Sequence, residues 1–379
     1  MERSKLISHA RIYLAVMFLQ FGRAGNAIIA KAALNGGMSH YALTVYRNLI
    51  AAVVFAPFAL FFERKIRPEM TLSIMFKIML LGLIEPVIDQ NLYYAGMKYT
   101  TATFTTAMCN ILPALTFLFA WLFRLEDVSI RSLYSQMKIL GTIVTLGGAM
   151  IMSLIGGPII AFPWTKPESH VHSPSSDTHG HDSLKGTIMI VASCVCWASF
   201  YILQAITLKS YPAGLSLTTL ICFSGALQGS ALTLVVERGN AAIWALHWDL
   251  NLLAYVYSGI ICSGVSYYIS GMIMEVKGPV FVTAFSPLTM VIVAIMSSLF
   301  LAEHLTLGQL LGAVIIVVGL YAVVWGKSRD LKSSTSSCDK RELEDHKRTT
   351  SIYVDEEAKN TSNLKHTEIT NMKSGESQV

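Results

Sequence analysis

Residues 72–95 read LSIMFKIMLLGLIEPVIDQNLYYA. The first half of this run carries one charge, Lys77, and the second half embeds Glu85-Pro86-Val87-Ile88-Asp89-Gln90-Asn91 in otherwise apolar sequence. About 20 apolar residues suffice for a helix to cross the hydrocarbon of a bilayer. An ionisable side chain at that depth costs roughly 2.5–3.5 kcal/mol on insertion scales, so it requires a reason. Glu85 and Asp89 are four residues apart and share one helix face. Two carboxylates so close do not readily ionise together, so the pair suits holding a proton or meeting an ammonium group. The plainer alternative is that they pair with Arg47, Asn48 or Asn110 and only tie helices together. Pro86 removes one backbone hydrogen bond, frees a carbonyl nearby, and is a candidate hinge.

The rest of the chain has the same character. Of its 379 residues 53% are apolar and 14% charged, against roughly 25% charged in ordinary globular domains, and mean hydropathy is +0.52. Residues 327–379 hold ten Lys/Arg and ten Asp/Glu, which leaves roughly one charge in ten over the first 326 residues. Too few charges remain to cover a soluble fold of that size, so the chain reads as an all-α membrane protein surrounded by lipid. Ten stretches are long enough to span: 12–30, 41–62, 72–95, 101–123, 134–155, 185–205, 213–236, 250–272, 280–301 and 305–325. They are too continuously apolar for barrel strands, which alternate. The first carries Arg23 and Asn26 and lacks a small-residue cleavage site, so it is expected to be retained rather than removed as a signal peptide. Lys and Arg concentrate in alternate connections (Arg64, Lys65, Arg67; Arg124, Arg131; Lys209; Lys277) and at both ends of the chain. That bias places both termini in the cytosol. No basic stripe with interleaved aromatics suggests nucleic acid. The cysteines fall mostly inside apolar runs and make no disulfide framework.

The two halves repeat. Tyr93-Tyr94 matches Tyr267-Tyr268 and Pro113 matches Pro287 at one offset, 174 residues. Gly141 and Gly148 match Gly312 and Gly319 at equal spacing. Copies of five helices, an odd number, must insert in opposite orientations. The expected architecture is therefore ten transmembrane helices in two inverted five-helix repeats, with a substrate site between the copies near the midplane. Residues 1–155 form the first repeat, 156–184 an extracytosolic loop rich in His, Ser and Pro, 185–326 the second repeat, and 327–379 a cytosolic tail expected to be disordered. The positions matching Glu85 and Asp89 are Gly259 and Ser263, so the acidic chemistry belongs to one copy.

Other buried polar residues extend the candidate substrate or coupling set. Asn26, Gln90, Asn110, Gln204 and Gln228 can each bond to a solute or, as packing groups, across helices. Tyr267, with Tyr93, Tyr94 and Tyr268, suits a cavity wall or an interfacial aromatic belt. Pro113 and Pro287, mid-membrane, join Pro86 as candidate hinges. Gly308 and Gly312 have the spacing for close helix approach, within the chain or in a homodimer. His170, His172, His179 and His181 form two His-x-His pairs that read as part of a flexible polar loop rather than a metal site. No Walker loop, His-Glu-x-x-His or Gly-x-Ser-x-Gly is present, so neither an enzyme nor a nucleotide-driven pump is indicated, and no cofactor or metal is expected.

The run from Glu85 through Tyr99, continued by Asn110-Ile111-Leu112-Pro113-Ala114, resembles the plant nodulin-like, EamA-type transporters. So do Gly25-Asn26, Val45-Tyr46-Arg47-Asn48, Trp197 and Leu305-Thr306-Leu307-Gly308. These are the UMAMIT or Walls-Are-Thin-related proteins of the drug/metabolite transporter superfamily. The resemblance implies facilitative export or bidirectional movement of amino acids across the plasma membrane, with auxin or the vacuolar membrane as alternatives within the family. An ammonium would meet Asp89 or Glu85, and a carboxylate would meet donors such as Asn26, Gln204 or Gln228. Protons are a candidate coupling ion. From a different class, a receptor or scaffold signalling through its tail stands as the rival expectation.

Overall fold

The computed structural model describes residues 2–99, 108–125, 133–154, 159–160, 180–238, 241–246, 248–300, 305–308, 310–323 and 325–326. The chain divides into a compact unit, Met1–Val324, and a second, Trp325–Val379, of which only Trp325 and Gly326 are described. The tail and most of the His-rich connection lie outside the described residues.

Ten helices form the compact unit among the described residues: α1 (Glu2–Asn35), α2 (His40–Phe62), α3 (residues 72–99), α4 (Cys109–Leu122), α5 (Leu133–Leu154), α6 (Gly180–Ser210), α7 (Gly214–Val236), α8 (Leu250–Lys277), α9 (residues 279–300) and α10 (Leu310–Val323). Six of them, α1, α2, α6, α7, α8 and α9, are each long and apolar enough to cross a membrane. α3 has the length, but its apolar character is diluted by the polar run 85–91. Large apolar side chains cover the outside of the bundle, Leu72 at 87% exposure and Phe61 at 81% among them. A surface of that kind is stable only against lipid.

Local signals set the helix ends. The Thr71 hydroxyl accepts the Ile74 backbone N–H at 3.3 Å and starts α3. The Asp249 carboxylate accepts the Asn251 and Leu252 N–H groups at 3.0 and 3.3 Å and starts α8. Gly278, at φ 82°, ends α8, and Pro279 opens α9 immediately after it. Several boundaries differ from expectation. α1 begins ten residues before the apolar run and α6 five residues before, because helix propagates past the lipid-facing segment wherever nothing breaks it. The last span starts after residue 306 rather than at 305, because Leu305–Thr306 pairs as a two-residue antiparallel ladder with Ile159–Ile160 and helix is assigned from Leu307.

The packing has the expected inverted symmetry. α2 lies against α7, α4 against α9, and α3 packs on α6 as α8 packs on α1. The repeat-matched glycines meet each other. A Cβ on Gly141 would stand 2.8 Å from the Gly319 carbonyl oxygen, and one on Gly148 would stand 3.0 Å from that of Gly312. Gly312 is thus used within the chain, in the α5–α10 crossing.

The fourth correspondence was not legible in the sequence. Leu83–Asp89 in α3 and Ser258–Val265 in α8 both widen into π-helical turns. The Gln90 N–H reaches the Glu85 carbonyl and the Ser266 N–H reaches that of Ile261, five residues back in each case. In α3 the wide turn relieves the clash that Pro86 would make in a regular helix. In α8 there is no proline within the turn, so the wide turn is a property of the repeat and not of Pro86 alone.

Candidate functional site

The two carboxylates of the wide turn in α3 have different partners. Glu85 receives the Tyr267 hydroxyl and the Gln90 amide, whose Nε2 lies 3.2 Å from both carboxylate oxygens. Arg47 of α2 approaches Glu85 Oε1 at 3.9 Å and donates through Nε to Ser263 Oγ at 2.7 Å. Ser263 in turn donates to Asn48 Oδ1 at 3.3 Å. Arg47 is 7% exposed, Glu85 5% and Asp89 5%. Asp89 instead accepts the Ser193 hydroxyl from α6. Asp89 makes no ion pair among the described residues, so it is a buried acid with no described cationic partner within 4 Å. Of the helix-tying partners expected for the pair, Arg47, Asn48 and Asn110, Arg47 meets Glu85, while Asp89 is tied to α6 through Ser193 instead.

Arg47, Glu85, Asp89, Gln90 and Tyr267 line a cavity of about 150 Å³. Its wall also draws Arg23 and Asn26 from α1, Tyr93 and Tyr94 from α3, Asn110 from α4, Trp197 from α6, and Ser286 and Thr289 from α9. The lining continues past Ala30, Met97 and Val293, toward the end of the bundle that carries the two-residue ladder. Toward the opposite end the path is filled. Tyr13 meets Phe281 at 5.8 Å between ring centroids, and Phe281 meets Phe285 at 5.2 Å.

Asn26, Glu85, Asp89, Gln90, Asn110 and Tyr267 are brought together on this wall. Asn26 accepts the Ser258 hydroxyl, and the Asn110 amide donates to the Met290 sulfur at 3.2 Å. Tyr93 and Tyr94 also line the cavity, so they are wall residues and not an interfacial belt. Gln204 and Gln228 stand elsewhere. The Gln204 amide donates to the Tyr267 backbone oxygen at 3.1 Å and ties α6 to α8. Gln228 donates to the Met79 backbone oxygen at 3.0 Å and to Ser224 Oγ at 2.7 Å, tying α7 to α3. Neither reaches the cavity, because hydropathy fixes that a residue lies in a span and not which way the helix turns it. Pro86 sits inside the wide turn, while Pro113 follows a short 3₁₀ turn at Cys109–Ile111 and Pro287 follows the interruption at Phe285. All three prolines therefore mark helix irregularities beside lining residues. Among the described residues no group of three or more His, Cys, Asp or Glu is arranged to hold a metal.

The sequence reasoning missed Arg23 and Arg47 as wall residues. The signal was present: each is an arginine inside an apolar run, and a charge there needs a partner or a solute. The division of labour between repeats is equally plain. The first supplies every charged group on the wall, and the second supplies aromatics and hydroxyls.

Residues 10–154 and 184–325 match the EamA-like transporter family. A WAT1-related protein of Arabidopsis thaliana is 58% identical over 332 residues, spanning 87% of this chain and 88% of the relative. A second WAT1-related protein of the same plant is 50% identical over 375 residues, spanning 99% and 97%. A solved crystal structure superposes with a TM-score of 0.62 at 14% identity, covering 84% of this chain and 98% of that one, a likeness of fold. The chain belongs to the EamA-like transporter family, among its plant WAT1-related members, and is an integral multi-pass membrane transporter and not an enzyme.

Proposed function

We propose that the transported solute is an amino acid, carried as a zwitterion by alternating access across the plasma membrane. The observation that carries this is Asp89: a buried acid on the cavity wall, held by one serine hydroxyl and with no ion-pair partner among the described residues. An ammonium group supplies the missing charge-assisted hydrogen bond. Glu85, on the same wall, is committed to Arg47, Gln90 and Tyr267. The Lys/Arg-rich connections put the Phe281–Phe285 end in the cytosol. The cavity then faces the extracytosolic side, and rocking of the repeats about the midplane exchanges the open end.

A flat indole acid is the second reading, favoured by the aromatic wall of Trp197, Tyr93, Tyr94 and Tyr267. The test is flux of an amino-acid panel and of indole-3-acetate into proteoliposomes of the purified full chain, with and without a proton gradient. Amino-acid flux that disappears in Asp89→Asn supports the proposal. Undiminished flux in that variant overturns the site, and indifference to the gradient removes protons as the coupling ion.

A further inference from the structure

We infer that Arg23 is the anchor for the solute's carboxylate, seated on an aromatic shelf that the second repeat supplies. The inference rests on the proposal that a carboxylate-bearing solute occupies this cavity. Arg23 lies inside α1 on the cavity wall. Its guanidinium stands 5.2 Å from the centroid of the Trp197 ring and 6.0 Å from that of Tyr201. One terminal nitrogen donates to the Tyr201 hydroxyl and, at 3.4 Å, to Ser266 Oγ. The other, Nη1, is buried and has no hydrogen-bond partner. Arg23 makes no ion pair among the described residues. Aromatic faces orient a guanidinium without neutralising it, and the unpartnered Nη1 offers its N–H donors to a carboxylate.

The shelf and Asp89 are both held from α6. Ser193, which bonds Asp89, and Trp197, which carries Arg23, are four residues apart on one face of that helix, a rise of roughly 6 Å. An α-amino acid carries its ammonium and carboxylate on one carbon, and charged groups held from adjacent turns of one helix can take one end each. Arg23 and Trp197 are also repeat-equivalent, separated by the same 174 residues as the paired tyrosines. The anchor thus joins matched points of the two halves, and a solute held there bears on both.

The experiment compares each acid with its amide in proteoliposomes of the full chain: phenylalanine with phenylalaninamide, and indole-3-acetate with indole-3-acetamide. The wild type is expected to prefer the acid by about tenfold or more in flux per unit concentration. In Arg23→Gln the KM for the acid rises by a similar factor, the amide is unaffected and the preference vanishes. Arg23→Lys keeps the charge without the fork and retains part of the preference. It also carries the test if the glutamine variant does not assemble. An unchanged acid-to-amide ratio in either assembled variant overturns the anchor, as does a wild type that moves phenylalanine and its amide equally, which leaves amino-acid transport standing. A wild type that moves indole-3-acetate with the expected preference but no amino acid supports the anchor and overturns the zwitterion proposal. One that moves none of the four overturns both.

Discussion

Glu63, at the end of α2, caps the start of α7: its carboxylate oxygens accept the backbone N–H groups of Leu215 at 2.9 Å and Ser216 at 2.7 Å. The Arg67 guanidinium closes the same corner, 3.0 Å from Ser216 Oγ. A carboxylate on the unsatisfied donors of a helix N-terminus is favoured by both hydrogen bonding and the helix dipole. This latch lies at the end of the bundle that the aromatic plug fills, so it belongs to whatever keeps that end shut. Hydrogen bonds to charged groups contribute about 1.5–3 kcal/mol each. Glu63→Ala is therefore expected to shift the conformational balance toward opening at this end by about tenfold or more. The measurement is the rate of maleimide labelling of a thiol placed by Ala213→Cys, buried beside the latch, in the presence and absence of Glu63→Ala. Equal labelling rates would show that the latch holds nothing closed.

The two acids of α3 should fail differently. Asp89→Asn leaves its neighbours satisfied, because the Ser193 hydroxyl bonds an amide oxygen as well as a carboxylate. Its thermal midpoint should stay near wild type while flux falls at least tenfold. Glu85→Gln removes the counter-charge of a buried arginine, and breaking such a pair costs on the order of 3 kcal/mol. Its midpoint should fall, and adding Arg47→Gln should recover part of the loss, since the double change leaves no stranded charge. Melting curves in detergent, set beside flux, separate the two. A large loss of stability in Asp89→Asn would contradict the division of roles.

The span count and the inverted repeat were legible because each needs only one-dimensional information: apolar length, and Tyr, Pro and Gly recurring at a fixed offset. The cavity was legible in part. Glu85-Pro86-Val87-Ile88-Asp89-Gln90-Asn91 announces itself by its cost in lipid. Gln204 and Gln228 carry the same signal at lower cost, and the sequence has no term that says whether an amide faces a solute or a backbone oxygen on the next helix. In the fold Gln204 meets the Tyr267 oxygen and Gln228 the Met79 oxygen. In the sequence alone Arg23 argues only against signal-peptide cleavage. Its partners, Trp197 and Tyr201, lie more than 170 residues away and meet it only across the two repeats. The wide turn at Ser258–Val265 has no proline to mark it.

Removal of residues 327–379 tests the rival idea of a signalling scaffold. The cavity and both family-matched segments lie before that point. A chain truncated after Gly326 should therefore retain solute flux within about twofold of the full chain when compared at equal incorporation, because no wall residue is lost. Loss of flux in a truncated protein that melts normally would assign the tail a part in transport.

The α5–α10 crossing offers a test of the repeat itself, with its control built into the same helix. A Cβ at Gly141 would lie 2.8 Å from the Gly319 carbonyl oxygen and 2.8 Å from the Val323 backbone nitrogen, atoms that no side-chain rotation can move aside. At Gly147, six residues along α5, a Cβ would meet nothing within 4 Å. Overpacking a tight contact costs about 1–3 kcal/mol, whereas replacing an unencumbered helix glycine by alanine gains up to about 1 kcal/mol. Gly141→Ala should therefore lower the thermal midpoint and Gly147→Ala should hold or raise it. Gly319→Ala, on the facing helix, should repeat the Gly141 result. Combined with Gly141→Ala it should cost less than the sum of the two, because once the helices are forced apart the second methyl finds room. Additive losses would mean that the two glycines do not share one contact, and the matched crossing of the halves would fall with them.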